Sequence, residues 1–134
     1  MRVFESRFDE MTSVLAHVAV APVTTAAIVR RAVESFNRFG SRTYHALWDL
    51  RGQPLRVEIE ELTLGLRDHI AWVNTHRRGQ RHAYLVDSRV AMYLARALKT
   101  RVKLDWEVFS DERLALDWLR TGDDLYRRPA DPLA

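Results

Sequence analysis

Cysteine is absent from the 134-residue chain, which excludes disulfides, thiolate metal sites and covalent catalysis through sulfur. A reducing compartment suits such a chain. Glycine is sparse, five in all, and the spaced glycines of a dinucleotide-binding turn are missing because Gly52 stands alone in its loop. No uncharged stretch approaches the roughly 20 residues that cross a bilayer. The opening MRVFESRFDE is charged throughout and lacks the apolar run of a secretory signal. A soluble, cytoplasmic protein with no transmembrane segment is expected. Internal repeats and low-complexity tracts are also missing.

Lysine is scarce, so the 21 cations are mostly arginine, and the pI of 9.7 overstates a formal charge of only +3. These cations are interspersed with 18 acidic residues from Arg2 to Arg128. A nucleic-acid binder gathers them on one face, so no nucleic-acid partner is expected. What the sequence does have is an apolar fraction of 47% and four tryptophans, which call for a packed core. The length suits one domain.

Residues 2–10 alternate large apolar and polar side chains with one slip, and Ser13 to Val23 is an almost wholly apolar, β-branched run that suits a strand covered on both faces. Met11-Thr12 turns one into the other. Thr24 or Thr25 can cap a helix whose Ile28, Val29, Ala32, Val33 and Phe36 share a face until Gly40. Tyr44–Leu50 is a short buried strand that leads into Arg51-Gly52-Gln53-Pro54. Ile59, Leu62, Leu66, Ile70 and Val73 mark a long helix with acids at its start and bases near its end at Arg78-Gly79. Arg81–Asp87 is a strand, and Ser88 opens a helix with Ala91, Leu94, Ala95 and Leu98 inward. Leu104, Trp106, Val108 and Phe109 form the last strand. Ser110 caps a final helix that packs through Leu114, Ala115, Trp118 and Leu119, with Asp111 and Glu112 in its first turn.

The order β-β-α-β-α-β-α-β-α predicts a single α/β domain over residues 1–121, with about five strands in a mostly parallel mixed sheet and about four helices. The first strand is antiparallel at an edge. Residues 122–134 form a tail with little periodicity. This order, WDLRG at Trp48–Gly52, AYLVDS at Ala83–Ser88 and above all EVFSDERLALDWL at Glu107–Leu119 resemble the SpoIIAA-like family of STAS-related domains.

That resemblance implies an α/β sandwich related in shape to bacterial anti-sigma-factor antagonists and, more loosely, to CRAL-TRIO lipid-binding domains. Many members have no assigned activity. In the antagonist branch a phosphorylatable Ser begins the helix after the strand that corresponds to Tyr44–Leu50. Here Gln53, Pro54 and Leu55 stand there, and no hydroxyl occurs between Tyr44 and Thr63, so no phosphosite is carried over.

Candidate functional residues follow from the parallel sheet. Asp49, Arg51, Gly52 and Gln53 lie past one strand and Asp87, Ser88 and Arg89 past another, so both groups meet at the carboxyl edge, where open α/β sheets bind ligands. Read structurally, Asp87 and Ser88 are caps and Arg51-Gly52 is a turn. Read functionally, Arg51 and Arg89 favour an anion or a phosphate-bearing group. Ser88 has no GxSxG elbow.

His69 and His76 are about 10 Å apart along their helix, too far for one metal. His17, His45 and His82 lack a carboxylate pattern, and no HExxH occurs. No cofactor or metal is expected. Most tryptophans fill the core, while Trp72 and Tyr93 suit a partner surface. The reading is a non-enzymatic regulatory or protein-interaction module with an unknown protein partner. The alternative is a protein that binds a lipid or anionic metabolite. An enzyme using Asp87 or Ser88 is a third, weaker reading. A homodimer through the first strand is a further option, which its charges at Arg2, Glu5, Arg7 and Asp9 oppose.

Overall fold

The alternation at the start of the chain folds as a hairpin. In the computed structural model, which describes residues 2–39, 44–76, 80–89, 91–93, 96 and 105–121, β1 (Phe4–Asp9) pairs antiparallel with β2 (Val14–Ala19). Asp9 Oδ1 accepts the Met11 N–H at 2.9 Å and Ser13 takes a φ of 56°. The expected turn at Met11-Thr12 is thus an Asx bend followed by one left-handed residue.

The second strand stops earlier than expected. Pro22 has no N–H for a ladder. Beyond it Val23–Thr24 forms a separate strand, β3, paired in parallel with β5 (Leu55–Arg56). Two-residue strands carry no periodicity, and so this small second sheet left no pattern to read.

Thr24 and Thr25 divide the capping work. Thr24 Oγ1 accepts the Ala27 N–H at 3.2 Å at the start of α1 (Thr25–Phe39). Thr25 is buried, and its Oγ1 accepts the Glu58 N–H at 2.8 Å. The Glu58 carbonyl in turn accepts the first bond of α2 (Ile59–His76), from Leu62. The two helices approach closely at Gly65, where a β-carbon would stand 3.0 Å from Val29 Cγ2. The inward face of α1 runs through Ile28 and Ser35, both buried, whereas Val33 is exposed. Beneath Ser35 lies a polar residue of the sheet, His17, whose Nε2 is 3.5 Å from its Oγ.

The strands β4 (His45–Asp49), β6 (Arg81–Leu85) and β7 (Asp105–Phe109) complete a five-stranded sheet of order β1-β2-β4-β6-β7. It is parallel except at β1, on the edge, as expected. Between β6 and β7 lies α3, whose described helical residues are 89, 91–93 and 96, and α4 (Glu112–Thr121) follows β7. Asp111 rather than Ser110 caps α4, its Oδ1 accepting the Leu114 N–H at 3.2 Å. A carboxylate there adds its charge to the positive helix end.

Each face of the sheet has its own core. On one, Ala19, Ala46, Trp48, Leu50, Val86 and Trp106 pack with Ile28 of α1, Leu62 of α2 and Ala91 of α3. His17, Trp48 and Tyr84 form a row across three neighbouring strands. The His17 and Trp48 rings are 4.3 Å apart and those of Trp48 and Tyr84 are stacked at 5.9 Å. Burial pushes the Tyr84 phenol well above its ordinary range. On the other face, among the described residues, α4 lays Ala115, Trp118 and Leu119 over Leu47, Ala83, Leu85 and Phe109, and Val18 of β2 is 43% exposed. Side chains of Ile59, Leu66, His69, Ile70, Trp72, Val73, His76, Leu94, Ala95, Leu98 and Leu104, and the tail 122–134, fall outside the described residues.

Trp118 is 2% exposed and leans on Phe109 at 5.8 Å. Truncation to Ala is expected to cost about 3–5 kcal/mol in chemical denaturation. Leu116→Ala, on the exposed side of the same helix, is expected to cost under about 1 kcal/mol.

Candidate functional site

Parallel pairing brings the ends of β4 and β6 to one level. Asp49 lies opposite Leu85, and the pairing continues past both strands through Leu50 N–H to the Leu85 carbonyl and Val86 N–H to the Phe109 carbonyl, each 3.0 Å. The residues expected at the carboxyl edge therefore meet there. All but Arg89 separate into two groups with different tasks.

Asp49 and Arg51 form a clamp on the α4 side. The Arg51 guanidinium donates to Asp49 Oδ1 from Nε at 2.9 Å and to Oδ2 from Nη2 at 2.8 Å, a bidentate pair, and Nη2 also reaches Glu112 Oε1 at 3.2 Å. The Arg51 backbone N–H adds a bond of 3.1 Å to Asp49 Oδ1. These donated bonds hold the Asp49 carboxyl below its ordinary range against the opposing effect of burial. Glu112 enters from α4, 61 residues away in sequence. Its place at the start of that helix signalled a dipole partner, and only the fold reveals this second bond.

Gly52, Gln53, Asp87 and Ser88 instead line a cleft of about 380 Å³ on the other side, with apolar walls from Leu50, Pro54, Leu55, Val86 and Ala91. The Gly52 N–H donates to Asp87 Oδ2 at 2.8 Å, with Gly52 at a φ of 79°. A side chain there would be strained even though the space is open. Ser88 Oγ accepts the Ala91 N–H at 3.0 Å and caps α3. The sequence places Leu50 and Val86 inside the predicted strands Tyr44–Leu50 and Arg81–Asp87, whereas the strands end at Asp49 and Leu85 and both residues turn into the cleft wall.

This geometry changes what the rim can do. Arg51 faces two carboxylates, so its charge is met within the protein and is a poor lure for an anion. Arg89 is exposed and belongs to neither clamp nor cleft. Tyr93, on α3, is 73% exposed. Among the described residues no group of three His, Asp or Glu could hold a metal ion. No described helix is long and apolar enough to cross a membrane.

No known family's sequence profile matches the chain, and no curated protein matches it. The structure is similar to that of an uncharacterized protein of the DUF3478 family with a SpoIIAA-like fold from Shewanella loihica PV-4. The two share 20% identity over 87% of this chain and 91% of that one, with a TM-score of 0.54. The fold is SpoIIAA-like.

The clamp has a definite pH signature. A carboxyl whose folded pKa is lowered stabilises the fold above its unfolded value of about 4, and that contribution is lost as pH falls through the folded value. Wild type is expected to exceed Asp49→Asn by about 1 kcal/mol in urea unfolding near pH 7. The gap is expected to close on acidification. A gap that is constant down to about pH 2 contradicts the assignment.

Proposed function

We propose that this SpoIIAA-like domain is a non-enzymatic regulatory module that recognises a protein partner through the Gly52–Leu55 segment and the adjoining start of α3. The observation that carries the reading is how the polar groups of the rim are employed. Asp49 and Glu112 hold Arg51, Asp87 holds the Gly52 amide and Ser88 caps α3. Each of these bonds fixes backbone shape. A preformed loop beside an apolar cleft loses little conformational entropy on docking, which favours recognition of a partner over chemistry. The same employment of Asp87 and Ser88 argues against using them as acid, base or nucleophile.

The size and mixed lining of the cleft also support a second reading, in which a small amphipathic ligand sits against Leu50, Val86 and Ala91.

Gln53 lines the cleft but is not needed for the clamp. Immobilised wild-type chain is expected to capture a partner from lysate of its own cells that Gln53→Arg captures at least tenfold less, while Arg113→Ala on α4 captures it equally. Equal capture by Gln53→Arg removes the rim from the account. Native mass spectrometry of the purified chain separates the second reading, since a mass increment lost in Gln53→Arg identifies a small ligand in place of a protein.

A further inference from the structure

β1 is an open edge of the five-stranded sheet, and among the described strands only β2 pairs with it. The phase of that pairing decides which backbone groups face outward. The Val20 N–H donates to the Val3 carbonyl at 2.7 Å, so Val3 and Val20 are a hydrogen-bonded pair, and such pairs alternate along an antiparallel ladder. With Glu5 opposite Val18 and Arg7 opposite Ala16, Glu5, Arg7 and Asp9 direct their backbone groups to β2, while those of Phe4, Ser6 and Phe8 point away from the sheet. Arg31 marks that direction, since its Nη2 reaches from α1 to the Phe4 carbonyl at 3.1 Å. A carbonyl has two lone pairs, so Phe4 can accept a second donor. A cavity of about 460 Å³ whose walls include Phe4, Glu5 and Ser6 leaves space beside the strand.

Side chains decide what can pair there. Glu5, Ser6 and Arg7 are exposed, and Glu5 and Arg7, two residues apart, project to the same face. Arg7 has no ion-pair partner among the described residues. Glu5 meets Arg2 at 3.8 Å with both side chains more than half exposed, a pairing that water and salt weaken.

Charges on an edge strand oppose pairing in most registers. A second copy related by a two-fold axis must set outward-facing residues against outward-facing residues, so the axis falls at one residue of β1 and never between two. Centred on Glu5, it sets Glu5 against Glu5. Centred on Arg7, it sets Arg7 against Arg7 and Glu5 against Asp9. Centred on Phe4 or Phe8, it pairs at most half of β1. Centred on Ser6, it sets Phe4 against Phe8 and Glu5 against Arg7 of the second copy, each twice by symmetry. The Glu5–Arg7 pairs then take non-hydrogen-bonded positions, where opposed Cα atoms are about 4.5 Å apart and side chains interact most closely. Only this register pairs most of the strand and joins opposite charges.

We propose that the chain forms a two-fold dimer through antiparallel pairing of β1 with β1 of a second copy, centred on Ser6, which makes one continuous sheet across both copies. The charges that oppose casual pairing of this edge select the one register that satisfies them. The interface uses no residue of the carboxyl rim.

Sedimentation velocity on the full chain between about 0.1 and 200 μM provides the test. Wild type is expected to be dimeric at the upper end of that range. Glu5→Arg and Arg7→Glu each set like charges against one another at two symmetry-related positions and should raise the dissociation constant at least tenfold. An equimolar mixture of the two variants restores both opposite pairs and should dimerise as wild type does. Ser6→Pro removes the outward N–H at the axis and none that bonds β2, so it should keep the wild-type circular dichroism spectrum and be monomeric. Arg56→Gln, an exposed arginine outside β1, should leave the dimer unchanged. If Ser6→Pro fails to fold, the mixture decides. A wild-type chain that is monomeric at about 200 μM, a dimer unaffected by Glu5→Arg or Arg7→Glu, or a mixture no better than its separate components overturns the proposal.

Discussion

The guanidinium of Arg51 ties the last residue of a central strand to the first turn of a helix 61 residues further on, and the shape of the carboxyl rim depends on it. Parallel pairing only brings β4 and β6 to the same height. The clamp then fixes the direction in which the chain leaves β4, and the bond from the Gly52 amide to Asp87 fixes its distance from β6. Gly52 takes the positive φ that lets the chain make both connections. Each bond is modest in a partly exposed setting. Together they give the loop one conformation in the unliganded chain.

The same accounting of charges distinguishes the carboxyl rim from the β1 edge. At the rim Arg51 is neutralised by its own neighbours and lies beside a cleft with apolar walls. At the β1 edge Arg31 is anchored by a carbonyl and a hydroxyl and keeps its charge. The buried His17 behind it stays neutral chiefly because burial disfavours its charged form, with the nearby Arg31 adding to the effect. Among the described residues three helices cover one face of the sheet and α4 the other, which puts this edge beside α1 and the rim beside both faces.

Much of the architecture was legible because it rests on repeated apolar spacing. β2, β4 and β6, the antiparallel edge and the inward residues Ala115, Trp118 and Leu119 of α4 all follow from it. The meeting of Asp49 with Asp87 at one edge follows from strand direction alone. What could not be read lies in contacts between distant segments. Glu112 looks like a helix-start acid, Ser35 like a break in an apolar stripe and His17 like one polar residue in a buried strand, until the fold sets each beside its partner. Local competition hid the rest. Ser110 and Asp111 are both good caps, and the carboxylate won, while Pro22 split one apolar run into two strands.

Amide hydrogen exchange at Gly52 in the unliganded chain tests the account most directly. If Arg51, Asp87 and the positive φ hold the rim in one shape, the Gly52 amide is expected to exchange far more slowly than that of exposed Met11's neighbour Thr12, and replacement of Asp87 by Ala should abolish the difference. A Gly52 amide that exchanges as fast as an open loop in the wild-type chain would contradict a preformed rim.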